Sequence, residues 1–483
     1  MVTYTPHLSF TNLCIPSPFL FSLSPSLSLS VCAIASGNFG VQVLKMAALK
    51  MYCSSAIVGT TIGTSLESRT NGTTLASGEF VGLKMMPSLK VASFSTRSMP
   101  ASAAPLSQLA KCWNTLSTEK KTLLHDMYDQ QKQSPWYDNL RRPVTMLEPL
   151  IKSGVRGVTS NPTIFEKAIT GSAEYDDQFR HCIREGKNVE EAYWELVIKD
   201  IQDACDLFLP LYQKSAGIDG YISVEVSPLL ANETQQTIDS AKYLRKRVNR
   251  PNVLIKIPAT LECIESIKQV IASSISVNVT LIFSLARYEA VIDAYLEGLE
   301  AVQGDLSKIA SVASFFVSRV DSLVDKKLNA IGSEEALELK GKAANAQAAL
   351  AFKLYQEKFS GPRWEALAKR GAQKQRVLWA STGVKDPSYP DTLYVNPLIG
   401  PETVTTMPDV ALNAFVDHGT VARTIDANLG EAKRIYDKVE ELGIKWEETG
   451  LQLEHEGVAS FKKSFTDLVQ NLTGKADALA KSI

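Results

Sequence analysis

A lysine set into an apolar strand is the first residue whose chemistry demands an account. In Val253-Leu-Ile-Lys256-Ile257 it stands among four aliphatic neighbours. A desolvated ammonium costs several kcal/mol, so the fold must either bring carboxylates to it or lower its pKa, and a neutral amine at physiological pH is a nucleophile of the Schiff-base kind. The alternative is a strand-end lysine that snorkels to solvent past its neighbours. The other short apolar runs weigh against that alternative, because they too carry or end in polar groups. Asp138 stands in Ser134–Asn139, Asn161 follows Gly154–Ser160, and Glu225 lies in Gly220–Val226. Asn278 and Thr280 lie in Ser276–Ile282, Ser314 in Ile309–Phe316 with Arg319 just beyond, and Ser381 ends Val377–Ser381 with Lys385 after it. A carboxylate inside an apolar strand needs a partner, and Lys256 is the obvious one for Glu225 and Asp138.

Each group also has a purely structural reading. Asn161 before Pro162 is a sound helix N-cap. Thr280 can cap or bond locally, Arg319 with Asp321 and Asp325 can form a solvated helix face, and Ser381-Thr-Gly383 can be a turn. A structural ion pair is the competing account of Lys256 with Glu225 and Asp138.

The elements that must position these groups follow from periodicity. The seven runs named above, with Val253–Ile257 counted among them and Leu393–Asn396 as an eighth, read as strands. Helical patterns separate most of them: Ile164 to Ala168, Val189 to Tyr212, Glu233 to Val248, Cys263 to Ala272, Ala286 to Leu299, Val320 to Leu328 and Glu334 to Phe359. Strands alternating with helices imply a parallel sheet with right-handed crossovers, and eight such units imply an α/β fold of the TIM (β/α)8 barrel type. Extra helices are expected at both ends, from Leu106 through Met127 and from Val410 to Ile483, with Pro401–Asp409 as a loop. An open doubly wound sheet is the alternative, but no GxGxxG or GxxxxGK[ST] follows an early strand. In a parallel barrel the strand C-termini carry the chemistry, which is where these polar groups fall.

The bulk composition is that of an ordinary globular protein: 483 residues, 45% hydrophobic, 21% charged, formal net charge −1. Basic residues are interspersed with acidic ones, so no nucleic-acid partner is expected, and no apolar run is long enough to span a bilayer. Seven cysteines, widely spaced and without a CxxC pair, suggest reduced thiols and no metal motif. Residues 1–95 are rich in Ser, Thr, Pro and Ala and hold only Glu67 and Glu79 as acids. That is the composition of a removed transit peptide, with the hydroxyl content favouring the plastid stroma over the mitochondrion, and a secretory signal as the lesser alternative. Residues 96–483 are expected to form the single barrel domain.

Six stretches, in order, resemble transaldolase, in the longer form of the family found in actinobacteria and plant plastids. They are Gly157-Val-Thr-Ser-Asn-Pro-Thr-Ile-Phe165, Ile222-Ser-Val-Glu-Val226, Leu254-Ile-Lys-Ile-Pro-Ala-Thr260, Asn278-Val-Thr-Leu-Ile-Phe-Ser284, Ser314-Phe-Phe-Val-Ser-Arg319 and Trp379-Ala-Ser-Thr-Gly-Val-Lys385. The resemblance covers nearly everything from residue 106 onward. It implies a TIM barrel in which Lys256 is the Schiff-base lysine and Asp138, Glu225 and Thr280 are its acid–base partners. Asn161 and Asn278 would hold sugar hydroxyls, while Ser314, Arg319, Ser381 and Lys385 would match the phosphate-binding positions with Phe316 beside them. Shorter members carry a second arginine where this chain has Lys385. The implied activity moves a dihydroxyacetone unit from sedoheptulose 7-phosphate or fructose 6-phosphate to glyceraldehyde 3-phosphate or erythrose 4-phosphate, in the pentose phosphate pathway and with no cofactor. Two other functions remain open: an aldolase that releases free dihydroxyacetone, and a non-catalytic barrel that binds sugar phosphates.

Overall fold

The computed structural model describes residues 121–480. The expected address segment and the domain boundary after residue 95 lie outside these residues, as does the start of the expected N-terminal helix, of which Leu123–Gln131 is described. Eight parallel strands close on themselves in sequence order: β1 Ser134–Tyr137, β2 Gly157–Val158, β3 Tyr221–Glu225, β4 Val253–Pro258, β5 Val277–Ile282, β6 Ser311–Phe316, β7 Arg376–Ala380 and β8 Val404–Met407. Almost every strand residue is buried, as a sheet covered on one face by helices and filled on the other by its own side chains must be. The expected barrel is present.

Seven strands fall where hydrophobic patterning puts them, and the eighth does not. Leu393–Asn396 is apolar, yet it forms a buried turn leading into a short 3₁₀ helix at Asn396–Leu398. The barrel closes instead through Val404-Thr-Thr-Met407, inside the stretch expected to be a loop, which pairs with β1 from Ser134↔Val404 to Tyr137↔Met407. Threonine is β-branched and suits a strand: Thr406 meets Thr159 at 2.7 Å, Thr403 just before the strand donates to the Gly400 carbonyl at 2.6 Å, and Thr405 Oγ1 is buried without a hydrogen-bond partner. β2 is shortened to two residues, and its Gly157 is required because a Cβ there would lie 2.6 Å from the Trp136 indole.

Helices return the chain between most strands. Pro162–Thr170 begins at Asn161, whose side chain accepts from the Ile164 N–H, so the N-cap reading of Asn161 holds. Ser318–Ile331 follows β6, and the single helix expected over Glu334 to Phe359 is two, Glu334–Leu337 and Ala343–Lys358, separated at Gly341 with its positive φ of 70°. A 35-residue helix, Trp446–Ala480, ends the described chain. It packs on Pro162–Thr170, on Ser318–Ile331 and on β5. The approach to β5 is close: a Cβ on Gly457 would lie 3.0 Å from a Leu281 methyl and 3.4 Å from Arg319 Nη1.

Candidate active site

Register sets the centre of the site. Glu225 on β3 pairs with Lys256 on β4, which pairs with Asn278 on β5, so three adjacent strands place a carboxylate, an amine and an amide at one height. Lys256 is 4% exposed and Glu225 7%. Lys256 Nζ stands 3.3 Å from Glu225 Oε2 and donates to the Ser160 carbonyl at 3.2 Å. Burial pushes the Glu225 carboxyl above its ordinary range, and the nearby Lys256 only partly offsets this. Thr280 Oγ1 is buried without a hydrogen-bond partner, and Glu225 Oε2 has the Lys256 ammonium beside it. The Asn278 amide donates to Ser223 Oγ at 3.0 Å and accepts from Ser314 Oγ at 2.7 Å.

Lys256 forms the inner wall of a cavity of about 320 Å³ at the C-terminal ends of the strands. Asp138, one residue past β1, opens onto the same space and accepts from Thr159 Oγ1 at 2.6 Å. A hydroxyl has one proton to give, so Thr159, donating to Asp138, must accept from Thr406 at 2.7 Å. This relay fixes one Asp138 oxygen and leaves the carboxylate on the cavity wall.

The opposite side is cationic. Arg319, the second residue of Ser318–Ile331, lies over the Phe316 ring at 5.5 Å and the Phe461 ring at 5.8 Å. Burial lowers its pKa, and burial followed by repulsion from Arg319 lowers that of Lys385. Lys167 adds a third cation at the rim. Against these the cavity wall offers only the Asp138 carboxylate, which suits an anionic ligand. Ser381 holds φ at 58°, a conformation unusual for a residue with a Cβ, and is tied to Ser318 through its carbonyl at 3.1 Å and its hydroxyl at 2.9 Å. Ser314 and the start of the Arg319 helix complete this side, and a helix N-terminus favours anions.

Of the expected residues, Asp138, Asn161, Lys256, Ser314, Phe316, Arg319, Ser381 and Lys385 line the cavity. Glu225, Asn278 and Thr280 do not; they are buried in the barrel beside Lys256 or one step along the strands from it. Sequence reasoning missed Thr159, Thr406, Lys167, Ser460 and Phe461. Thr159 lies in the Gly157–Phe165 stretch and was open to notice; Thr406 was hidden by the misplaced eighth strand. Lys167 continues the face begun by Asn161 and Ile164, whereas Ser460 and Phe461 sit on the closing helix, where nothing in the sequence gives an address. Among the described residues no group of His, Cys, Asp and Glu is arranged to hold a metal ion, and no helix is long and apolar enough to cross a membrane. Cys182, Cys205 and Cys263 are buried free thiols.

A closed (β/α)8 barrel with a buried lysine–glutamate pair, an aspartate and a bank of cations at its C-terminal rim defines a barrel enzyme. Residues 135–472 match the family model described as Transaldolase/Fructose-6-phosphate aldolase, and the chain belongs to that family. It is 49% identical to the protein named Transaldolase of Arthrobacter sp. (strain FB24), over 72% of this chain and 96% of the relative. It is 50% identical to the Transaldolase of Acidothermus cellulolyticus, over 70% and 93%, and 48% identical to that of Thermobifida fusca, over 70% and 94%. By these relationships the chain is an enzyme, a transaldolase.

Proposed function

We propose that the chain transfers a dihydroxyacetone unit between sugar phosphates through a Schiff base on Lys256. The observation that carries this reading is the Lys256–Glu225 pair at 3.3 Å, at the inner end of a cavity whose other side is cationic. Neutral Lys256 attacks the C2 ketone of sedoheptulose 7-phosphate or fructose 6-phosphate to give a carbinolamine. Glu225, held protonated more readily by its burial, gives a proton to the departing hydroxyl, through a water bonded by Thr280, and water leaves as the iminium forms. Asp138 takes the C4 hydroxyl proton, and the C3–C4 electron pair flows into the iminium. The aldose leaves, and an enamine remains on Lys256. The acceptor aldehyde is then attacked by the enamine carbon, Asp138 returns its proton, and hydrolysis frees Lys256. Asn161 and Asn278 orient the sugar, Asn278 through its bonds to Ser223 and Ser314. Arg319, Lys385, Ser314 and Ser381 hold the phosphate at the helix N-terminus, with Phe316 under the guanidinium.

Transfer and simple aldol release differ in what captures the enamine. Incubation with fructose 6-phosphate and erythrose 4-phosphate should yield sedoheptulose 7-phosphate, with no free dihydroxyacetone accumulating. Release of dihydroxyacetone at the rate of donor consumption would support the aldolase reading instead. We infer also that residues 1–95 address the protein to the plastid stroma, from their acid-poor, Ser-rich composition. A fluorescent protein fused behind this segment should enter plastids; retention in the cytosol contradicts the address.

A further inference from the structure

Arg319 and Lys385 are like charges facing one cavity, and Lys385 is carried on the loop after β7. Their mutual repulsion favours moving that loop away, so something must hold it. The helix that presents Arg319 supplies two buried carboxylates four residues apart, Asp321 at 0% exposure and Asp325 at 9%, and neither makes a salt bridge. Asp325 accepts from the Tyr389 hydroxyl at 2.7 Å and from the Gly341 N–H at 3.0 Å. Asp321 accepts from the Ala344 N–H at 2.7 Å through Oδ1, and its Oδ2, on the side of Tyr394, is buried without a hydrogen-bond partner. Tyr389 and Tyr394 belong to the loop of Lys385. The Tyr389 ring also fits against Gly341, where a Cβ would come within 3.0 Å of it. Beyond Lys385 lies a second cavity of about 540 Å³, lined by Asp325, Tyr389 and Tyr394 as well as Lys385, so the loop has open space on its far side.

Two buried carboxylates without a cation are costly, and here Asp325 bonds the loop and the turn before Ala343–Lys358 while Asp321 bonds the first turn of that helix and lies beside Tyr394 of the same loop. We infer that Asp321 and Asp325 are positioning residues that pin the Lys385 loop to the Arg319 helix, setting the separation of the two cations and thereby the affinity for a phosphorylated substrate. The inference rests on the phosphate role given to Arg319 and Lys385 above. It assigns no part in the carbon chemistry to either aspartate.

The test uses Tyr389→Phe, which removes one hydroxyl, with Asp325→Asn and Tyr394→Phe as companions. In Tyr389→Phe the KM for fructose 6-phosphate should rise by about tenfold, kcat should change less than about twofold, and inhibition by inorganic phosphate should weaken in step with KM. In a Lys385→Met background the same change should add almost nothing, because the loop then positions no cation. A merely structural tyrosine would act equally in both backgrounds. Unchanged KM and phosphate inhibition in both Tyr389→Phe and Asp325→Asn, or effects that multiply with Lys385→Met, overturn the inference. If Lys385→Met itself leaves KM and phosphate inhibition unaltered, the phosphate reading of Lys385 falls and takes the inference with it. If Lys385→Met weakens both and the loop variants do not, the inference alone falls.

Discussion

Lys256 Nζ and Glu225 Oε2 lie 3.3 Å apart on neighbouring strands, in a barrel interior that leaves each less than a tenth exposed. Burial favours the neutral form of Glu225, and that gives the pair a proton to exchange where an exposed glutamate would hold none. Glu225→Gln keeps the volume and removes the acid. Its kcat should fall by about 10²–10⁴, with Schiff-base formation as the slowed step. Single-turnover trapping with borohydride reads that step directly, and a normal trapping rate would return Glu225 to a structural role.

Asp138 is expected to act after the Schiff base has formed. Asp138→Asn should still give a trapped adduct from dihydroxyacetone, yet cleave the C3–C4 bond of fructose 6-phosphate about 10²–10⁴-fold more slowly. Stopped-flow measurement of aldose release separates the two. Normal release would send the search for the base elsewhere in the cavity.

Arg319 lies over two aromatic rings and, in the proposed role, meets the substrate's phosphate. A charge-assisted contact to phosphate contributes ~1.5–3 kcal/mol, so Arg319→Ala should lower kcat/KM for phosphorylated sugars by roughly ten- to a hundredfold or somewhat more. Unphosphorylated fructose never makes the contact and should lose little. Equal losses on both substrates would mean that Arg319 supports the fold.

Burial raises the Asp321 carboxyl from an ordinary 3.8 to about 7. An acid whose folded pKa lies above its unfolded one keeps its proton longer when folded, so this group's contribution to stability falls as pH rises from about 4 to about 7 and is level above that. The full loss is on the order of 4 kcal/mol. Asp321→Asn retains an acceptor for the Ala344 N–H and never ionises. Its melting temperature relative to wild type should therefore improve between pH 5 and pH 8, as differential scanning calorimetry would read. A difference that stays constant across that range contradicts the assignment.

Lys256 was legible because a charge inside four aliphatic residues conflicts with the pattern around it, and the same conflict exposed Glu225. Seven strands were legible for the opposite reason: their patterns agree with their surroundings. β8 was not, because Thr403, Thr405 and Thr406 around Val404 read as polar although all three are buried in or beside the strand, while Leu393–Asn396 read as a strand because a buried loop is as apolar as one. Thr159 and Thr406 form their relay only once β1, β2 and β8 are adjacent. Phe461 reaches Arg319 across the barrel mouth from a helix far along the chain, a contact that no local pattern encodes.

Peptide mass spectrometry after borohydride reduction in the presence of fructose 6-phosphate reads the covalent step at Lys256 itself. A reduced three-carbon adduct should appear on Lys256 alone, and none in Lys256→Arg, whose guanidinium stays protonated. An adduct on Lys167, Lys385 or any other lysine, or turnover retained in Lys256→Arg, would contradict the Schiff-base role of Lys256.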